Sequence, residues 1–262
     1  MPQQQDEAPL AQLATWVINL ETDAERLRVT GSLLQDADLP WSRFPAVDGR
    51  ATNLKTHHLN NSKRQSHLFG RELNSGEIGC FLSHLHALEK FATGSEEYLL
   101  ILEDDADVPK SLARDVSEII KWHEANPKHR LDCVNLCNAY RKRNTPLAAL
   151  SGRQLLRSWY FPVLTTACLW TKEGARAFVN QVHHGGIDGP LDDRMRAWFA
   201  KTGGGMHLDP VLVPPRQVAS SIDAMGSRST STLPRSKQIL RRKLPVYGWV
   251  FLNKLKSLFR AS

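Results

Sequence analysis

The sequence has little of what marks an exported, membrane-spanning or disulfide-stabilised protein. Its N-terminus lacks a basic segment followed by an apolar run of signal-peptide length, and no stretch of about 18 consecutive apolar residues occurs. The four cysteines, Cys80, Cys133, Cys137 and Cys168, lack the paired close spacings of a structural zinc site or a disulfide framework. We therefore expect a cytoplasmic protein with buried, reduced thiols that does not span a membrane.

Acidic residues are missing from one end of the chain. The formal net charge is +7, and residues 235–262 hold eight basic residues and no acidic ones; subtracting those eight leaves −1 for residues 1–234. Apolar residues such as Trp249, Leu252 and Phe259 are interleaved with the basic ones, as in segments that lie on an anionic membrane surface. The alternative is a C-terminal helix packed on the body of the protein or against a second subunit, as in a homodimer.

Nucleic acid is not an expected partner. The basic residues lie in an apolar tail and not across a folded face with stacking aromatic side chains. The tail is instead expected to hold a cytoplasmic protein peripherally at the inner face of the membrane.

The rest of the chain alternates predicted strands and helices. Such alternation favours a layered α/β fold with a mainly parallel sheet. Strands are predicted at 15–20, 39–49, 98–102, 131–137 and 164–170, and helices at 23–35, 78–91 and 174–183. The domain organisation that follows is a disordered N-terminus over 1–14, a main domain over 15–226, a linker over 227–234 and the basic amphipathic tail over 235–262. Within the main domain, residues 50–74 are polar and are predicted to be irregular.

The most informative local feature is a run of acids after an apolar strand. Tyr98 to Leu102, YLLIL, leads directly into Glu103, Asp104, Asp105 and Asp107. In open α/β sheets ligands bind beyond the carboxyl ends of strands, so these carboxylates are expected to line a crevice. Clustered carboxylates suit a hard cation such as Mg²⁺ or Mn²⁺, which also binds substrate phosphates. The alternative is an ordinary solvated acidic turn.

The part of the chain around this acidic run resembles a known family. GEIGCFLSHLHALEKF followed by YLLILEDDADV is similar to the central signature of glycosyltransferase family 25, whose members build bacterial lipopolysaccharide and lipooligosaccharide. WVINLETDAERLR and the PAVDG turn in LPWSRFPAVDG resemble the N-terminal blocks of that family. The matches span about residues 15 to 222.

The resemblance implies a GT-A fold and an inverting transfer of a hexose, typically galactose from UDP-galactose, onto a lipid-linked oligosaccharide. Glu103 and Asp105 would hold Mn²⁺ (or Mg²⁺) and the donor diphosphate, with Asp104 and Asp107 as supporting acids. The other residues that the resemblance places near the donor are Asn19, Leu20, Arg26, Ala46, Val47 and Asp48. Asp48 with Gly49 is otherwise only a tight turn.

Helix and strand residues around the same site have two interpretations each. Glu77 and His84, seven apart on one helix face, are expected in a shared site wall, or else as a helix cap and a structural histidine. Thr165 and Thr166 would face the acceptor or only pack.

An inverting transfer also needs a base that takes the proton of the acceptor hydroxyl. The candidates lie in GGIDGPLDDRMRAWF: Asp188, which we favour, and Asp192, beside Asp193. Asp192 and Asp193 are alternatively acids in the first turn of a helix, where the helix dipole favours them.

Two other classes of function compete with the transferase. Asp105 and Asp107 fit the DxDx[TV] pattern of haloacid-dehalogenase-like phosphatases, although Glu103 and Asp104 intervene between strand and motif. A non-catalytic sugar-binding protein of the same fold is the second alternative.

Overall fold

A computed structural model describes residues 9–50, 53–140, 142–217 and 231–259. One eight-stranded sheet runs through it. Its strands are β1 (Leu13–Asn19), β2 (Ser42–Pro45), β3 (Tyr98–Glu103), β4 (Cys133–Asn135), β5 (Asn144–Leu150), β6 (Arg153–Ser158), β7 (Ala167–Thr171) and β8 (Gly205–Asp209). The spatial order of the strands is β2-β1-β3-β7-β4-β8-β6-β5.

Helices cover both faces of the sheet and form the C-terminal tail. They are α1 (Ala24–Asp36), α2 (Ser62–Phe69), α3 (Ser75–Thr93), α4 (Leu112–Ala125), α5 (Lys172–Gly185), α6 (Leu191–Thr202), α7 (Arg235–Gln238) and α8 (Leu244–Phe259). A short 3₁₀ helix occupies Leu54–Thr56, and a π-helical turn, Ile239–Lys243, joins α7 to α8.

The α/β class is confirmed, but the prediction of a mainly parallel sheet is wrong. Among the described strands, β2 with β1, β1 with β3 and β4 with β8 are parallel. The other four neighbouring pairs are antiparallel. The prediction failed because β7 is buried on both faces, and a continuous apolar run carries no information on strand direction.

Alternation along the strands builds two cores. In β3, Leu99 and Ile101 face the core formed with α3, α5 and α6, whereas Leu100 and Leu102 face the core that includes residues of α1 and α4. The molecule is therefore a three-layer sandwich with the sheet in the middle and helices on both faces.

Helix α3 begins where the sequence predicts. Asn74 accepts a hydrogen bond from the Glu77 N–H (2.8 Å), and the Glu77 carboxylate accepts one from the Asn74 N–H (3.0 Å). This reciprocal capping box confirms the predicted helix start. Glu77 also binds Arg71 through both carboxylate oxygens at 2.6 Å.

The region 50–74 is more regular than predicted. Helix α2 lies within it, capped by the Asn61 side chain and ended by Gly70 in the left-handed conformation. Its sequence, SKRQSHLF, carries apolar residues only at its end, so hydrophobic periodicity could not reveal it.

The predicted domain boundaries are only partly covered by the described residues. Strand β1 begins at Leu13, inside the N-terminal segment predicted to be disordered, of which residues 1–8 lie outside the described part. Of the predicted linker, residues 227–230 also lie outside it. Thr232, in the remainder, bonds to the Gly70 carbonyl through its N–H and its hydroxyl.

The basic amphipathic tail packs one face on the body. Val250 is buried beside Trp159 and Tyr160, and Asn253 donates to the Ala200 and Lys201 carbonyls at the end of α6. Other apolar side chains of the tail point outward; Phe251 is 69% and Leu240 60% exposed. Within the described residues, no helix has the length and apolar character needed to cross a membrane.

Candidate active site

The ends of three strands and the start of α3 enclose one cleft. Strands β1 and β3 run parallel, with Ile18 opposite Glu103, so their carboxyl ends open at the same edge of the sheet. The chain leaving β2 adds Ala46 and Val47. The cleft is open to solvent, and its empty space, the solvent at its mouth included, is about 640 Å³. Its lining includes these sequence-predicted residues: Asn19, Leu20, Arg26, Ala46, Val47, His84, Glu103, Asp104 and Asp105.

Two glycines let the PAVDG turn approach α3. A Cβ on Gly49 would lie 2.5 Å from the Ser75 carbonyl oxygen, and one on Gly79 would lie 2.7 Å from that of Val47. The Val47 N–H donates to the Ser83 hydroxyl at 2.8 Å. The two sequence motifs are thus halves of one packed wall of the cleft.

Glu103 is held at the end of β3 by two neighbours. The Thr165 hydroxyl donates to its Oε1 at 2.7 Å, and the His84 Nε2 lies 3.1 Å from the same oxygen. Burial acts to raise the pKa of Glu103, but the hydrogen bond and charge of His84, with the bond from Thr165, hold it below its usual value. Glu103 is therefore ionised near neutral pH.

Asp104 is fully engaged with protein groups. Its carboxylate accepts from the Asn19 amide at 2.7 Å and pairs with Arg26 at 2.5 Å. Its carbonyl accepts from Arg216 at 2.6 Å and from the Thr30 hydroxyl at 2.7 Å. Burial raises the pKa of Asp104 despite the Asn19 bond and the Arg26 charge. Asp104 thereby fixes the acidic loop, residues 104–107, onto β1 and α1.

Asp105 is the carboxylate with the least compensation. One oxygen lies 3.5 Å from Arg26, and the other, Oδ1, is buried without a hydrogen-bond partner in the described part of the chain. Burial first, and the Glu103 charge second, raise the pKa of Asp105 to about 6. A buried carboxylate oxygen without a donor, beside a second carboxylate, fits a bound divalent cation.

Other predicted residues lie away from this cleft. Asp107 is exposed and does not line it; its N–H donates to the Pro214 carbonyl. Asp48 pairs with Arg50 at 2.9 Å, and that hydrogen bond lowers the pKa of Asp48. Glu77 caps α3 and binds Arg71 instead of lining the cleft. Thr166 contributes its backbone carbonyl to the Glu103 N–H at 2.8 Å.

The two candidate bases stand in different surroundings. Asp188, only 2% exposed, pairs with Arg64 at 2.8 Å and Arg194 at 3.1 Å. Asp192 lies in the first turn of α6, half-buried, and burial followed by the charge of Asp193 raises its pKa. A backbone hydrogen bond from Leu164 acts on Asp192 in the opposite direction.

Leu164 stands between Asp192 and Thr165. It adopts a positive φ of 70°, which is uncommon and strained for a branched side chain, and it precedes Thr165, the donor to Glu103. The Asp192 charge also contributes to raising the pKa of Cys80 in the cleft. Asp192 does not line the cleft itself but lies beside the segment that holds Glu103, whereas Asp188 lines another cavity.

That second cavity lies between α6, α2 and the tail. Its lining is strongly basic, with seven basic side chains and two carboxylates, Asp188 and Asp193. The basic residues are Arg64, Arg194, Arg196, Lys201, Arg241, Arg242 and Lys243. Sequence reasoning missed this cavity because its cations come from three separate segments.

Sequence reasoning also missed Cys80. It lines the cleft one helical turn before His84. Burial, and then Glu103, raise the pKa of Cys80 well above the usual range of a thiol. The spacing of Cys80 and His84 within GEIGCFLSH was the available signal.

Comparison with known proteins identifies the family of this chain. The family model described as glycosyltransferase family 25 (LPS biosynthesis protein) matches residues 12–193, more than half of the chain. The chain belongs to glycosyltransferase family 25.

Curated relatives carry the same family name. A glycosyltransferase 25 family member of Aedes aegypti is 32% identical over 111 residues, covering 40% of this chain and 18% of the relative. One of Drosophila pseudoobscura pseudoobscura is 34% identical over 96 residues, covering 34% and 15%. The chain thus spans under a fifth of the length of these curated relatives.

A solved structure also resembles the chain in part. It is a crystal structure of a glycosyltransferase involved in the glycosylation of the major capsid of PBCV-1. The match covers 81% of this chain and 96% of that chain, with 11% identity and a TM-score of 0.43.

Proposed function

We propose that this chain is a metal-dependent, inverting glycosyltransferase of GT-A type that moves a hexose from a nucleotide sugar, UDP-galactose first among the candidates, onto an oligosaccharide. The main support for the proposal is the poorly compensated Asp105 carboxylate beside Glu103, in a cleft at the carboxyl ends of β1 and β3. Family membership supports the class of reaction.

Glu103 and Asp105 fit a hard divalent cation, Mn²⁺ or Mg²⁺. Such a cation, when bound, would neutralise the charge of the departing diphosphate. Asp104, tied to Asn19 and Arg26, holds the acidic loop in place, and Thr165 with His84 orients Glu103. Arg26 adds a positive charge at the same wall of the cleft.

Asp192 is the better placed of the two candidate bases. An effective base must accept a proton near neutral pH, which a raised pKa favours. Burial raises the pKa of Asp192, and its carboxylate accepts a backbone hydrogen bond from Leu164, the neighbour of the Glu103 donor Thr165. Asp188 is already bound by Arg64 and Arg194, which would compete with a substrate hydroxyl for its lone pairs.

The basic cavity and the tail support an anionic, lipid-linked acceptor at a membrane surface. Seven cations line that cavity, and the outward face of the tail carries exposed Leu240, Leu244 and Phe251. Each Lys or Arg near an anionic leaflet contributes roughly 1 kcal/mol to binding. A lipopolysaccharide or lipooligosaccharide precursor in the cytoplasmic leaflet has this chemistry.

The phosphatase alternative has less support. It needs Asp105 and Asp107 in one site, but Asp107 is exposed outside the cleft.

The test is nucleotide release from a panel of nucleotide sugars with Mn²⁺, Mg²⁺ or a chelator. We expect metal-dependent release of UDP from UDP-galactose, lost in Asp105→Asn. Asp107→Asn, the same charge change on the same loop at an exposed position, is the matched control and is expected to stay within a few-fold of the native chain. Absence of turnover and of nucleotide binding with every donor and metal would overturn the proposal, and a covalent aspartyl phosphate at Asp105 would establish the phosphatase.

A further inference from the structure

A sulfur, a nitrogen and an oxygen ligand meet in the wall of the cleft. Cys80 and His84 lie four residues apart on α3, and so on one helix face, and Glu103 ends the strand beside them. One ligand atom from each of the three lies within 4.8 Å of the others, and the His84 Nε2 is 3.1 Å from the Glu103 Oε1. In a tetrahedral zinc site with bonds of 2.0–2.3 Å, ligand atoms stand roughly 3.3–3.8 Å apart. Small side-chain adjustments would therefore suffice.

The ligand set differs in kind from the oxygen pair proposed for the donor metal. Thiolate and imidazole select zinc and related transition metals, whereas carboxylates and water suit magnesium and manganese. Three protein ligands leave a fourth tetrahedral position open to the cleft. The Thr165 hydroxyl bonded to Glu103 is the type of outer partner that orients a metal ligand.

We infer that Cys80, His84 and Glu103 form a binding site for a zinc-class divalent ion, separate in chemistry from the Glu103 and Asp105 pair. Binding would release the Cys80 thiol proton to solvent and form a metal–sulfur bond. Because Glu103 serves both sets, zinc and the donor metal would exclude each other. Zinc would then inhibit a manganese-dependent activity at this cleft.

Cobalt titration of the purified, metal-free chain tests the site without any turnover. Tetrahedral Co²⁺ bound by a thiolate gives intense visible d–d bands and a near-ultraviolet sulfur-to-cobalt charge-transfer band. We expect both to saturate at one equivalent and to disappear when zinc is added. Cys80→Ser should remove the charge-transfer band, whereas Cys137→Ser, at a buried thiol elsewhere, should keep it.

A second measurement needs no variant. X-ray absorption of the zinc-loaded native chain should show one sulfur at about 2.3 Å together with lighter scatterers at about 2.0–2.1 Å. A shell of oxygen and nitrogen only, or a cobalt charge-transfer band that persists in Cys80→Ser, would overturn the inference. Since neither readout depends on a nucleotide sugar, failure of the zinc site and failure of the proposed transferase are distinguishable. If both hold, zinc should inhibit the manganese-supported native chain by a larger factor than it inhibits Cys80→Ser.

Discussion

Asp105 and Asp188 are both shielded from solvent, Asp188 more completely, yet the charges around them are opposite in sign. Asp188 sits between two arginines in a cavity lined by seven cations. Asp105 sits in a cleft whose other acids are Asp23, Glu103 and Asp104, with Arg26 and His84 as the basic side chains among the lining residues. The protein itself neutralises one carboxylate and leaves the other short of positive charge.

The contrast assigns different tasks to the two cavities. An acidic cleft at strand ends is suited to a cation and, through it, a diphosphate. A basic cavity beside an apolar tail is suited to an anionic amphiphile.

The largest effect is expected at the base. Replacing Asp192 by Asn should slow UDP release from UDP-galactose in saturating Mn²⁺ by about 10²- to 10⁴-fold, the usual contribution of a general base. Rates are to be compared per folded molecule, by steady-state kinetics with circular dichroism on the same samples. Asp188→Asn should lose less than tenfold per folded molecule. The reverse pattern would identify Asp188, in the basic cavity, as the base and would contradict the division of tasks between the two cavities.

The second effect concerns stability. Asp188→Asn leaves Arg194 poorly compensated in a partly buried position and should lower the free energy of unfolding by about 3 kcal/mol, the range for breaking a buried ion pair. Asp193→Asn breaks a half-exposed pair with Arg242 and should cost about 1 kcal/mol or less. Urea unfolding of the two variants measures both. Equal, small losses would show that Asp188 is not held structurally.

Part of this contrast was predictable from the sequence. The run from Tyr98 to Asp105 and the cap formed by Asn74 and Glu77 are local, because a strand, its terminal acids and a helix start are encoded by neighbouring residues. The parallel pairing of β1 with β3 then brings Asn19 next to Asp104 without further information.

The remainder depends on tertiary contacts that no short pattern encodes. The predicted strand direction was wrong at β7, because a strand that is buried on both faces has no sequence pattern that separates parallel from antiparallel pairing. The pairing of Asp188 with Arg64 spans 124 positions of sequence, so the favoured base could not be recognised as an ion-paired residue. The hairpin of β5 and β6 went unpredicted, and its strands carry Pro146, Arg153 and Arg157 in place of a clear apolar alternation.

A smaller effect of opposite sign is expected at Asp105 in the metal-free protein. Its pKa rises from 3.8 to about 6 on folding, so its contribution to stability is complete below 3.8 and is lost as the pH rises through about 6. In chelator at about pH 7.5, Asp105→Asn should therefore be more stable than the native chain by about 2 kcal/mol, after a discount for partial exposure. The gain should shrink towards zero near pH 4.

Unfolding in urea at several pH values, with Asp107→Asn as control, measures this difference. Added Mn²⁺ should reverse the order of the two proteins by stabilising only the native chain. A variant less stable than the native chain in chelator would mean that Asp105 is already compensated within the fold.

The smallest effect lies on the outward face of the tail. Phe251 is 69% and Leu255 42% exposed, so Phe251→Ser with Leu255→Ser should leave the free energy of unfolding nearly unchanged. Binding to vesicles of phosphatidylcholine with phosphatidylglycerol should weaken about tenfold, because each buried apolar side chain contributes about 1.5–3 kcal/mol at most and insertion is partial. Sedimentation with the vesicles measures it, with pure phosphatidylcholine and high salt as controls that remove the charge attraction.

If binding is unchanged and the variant instead converts a dimer to a monomer in equilibrium sedimentation, the face is a subunit interface. The basic cavity would then open between two copies of the chain instead of onto a membrane.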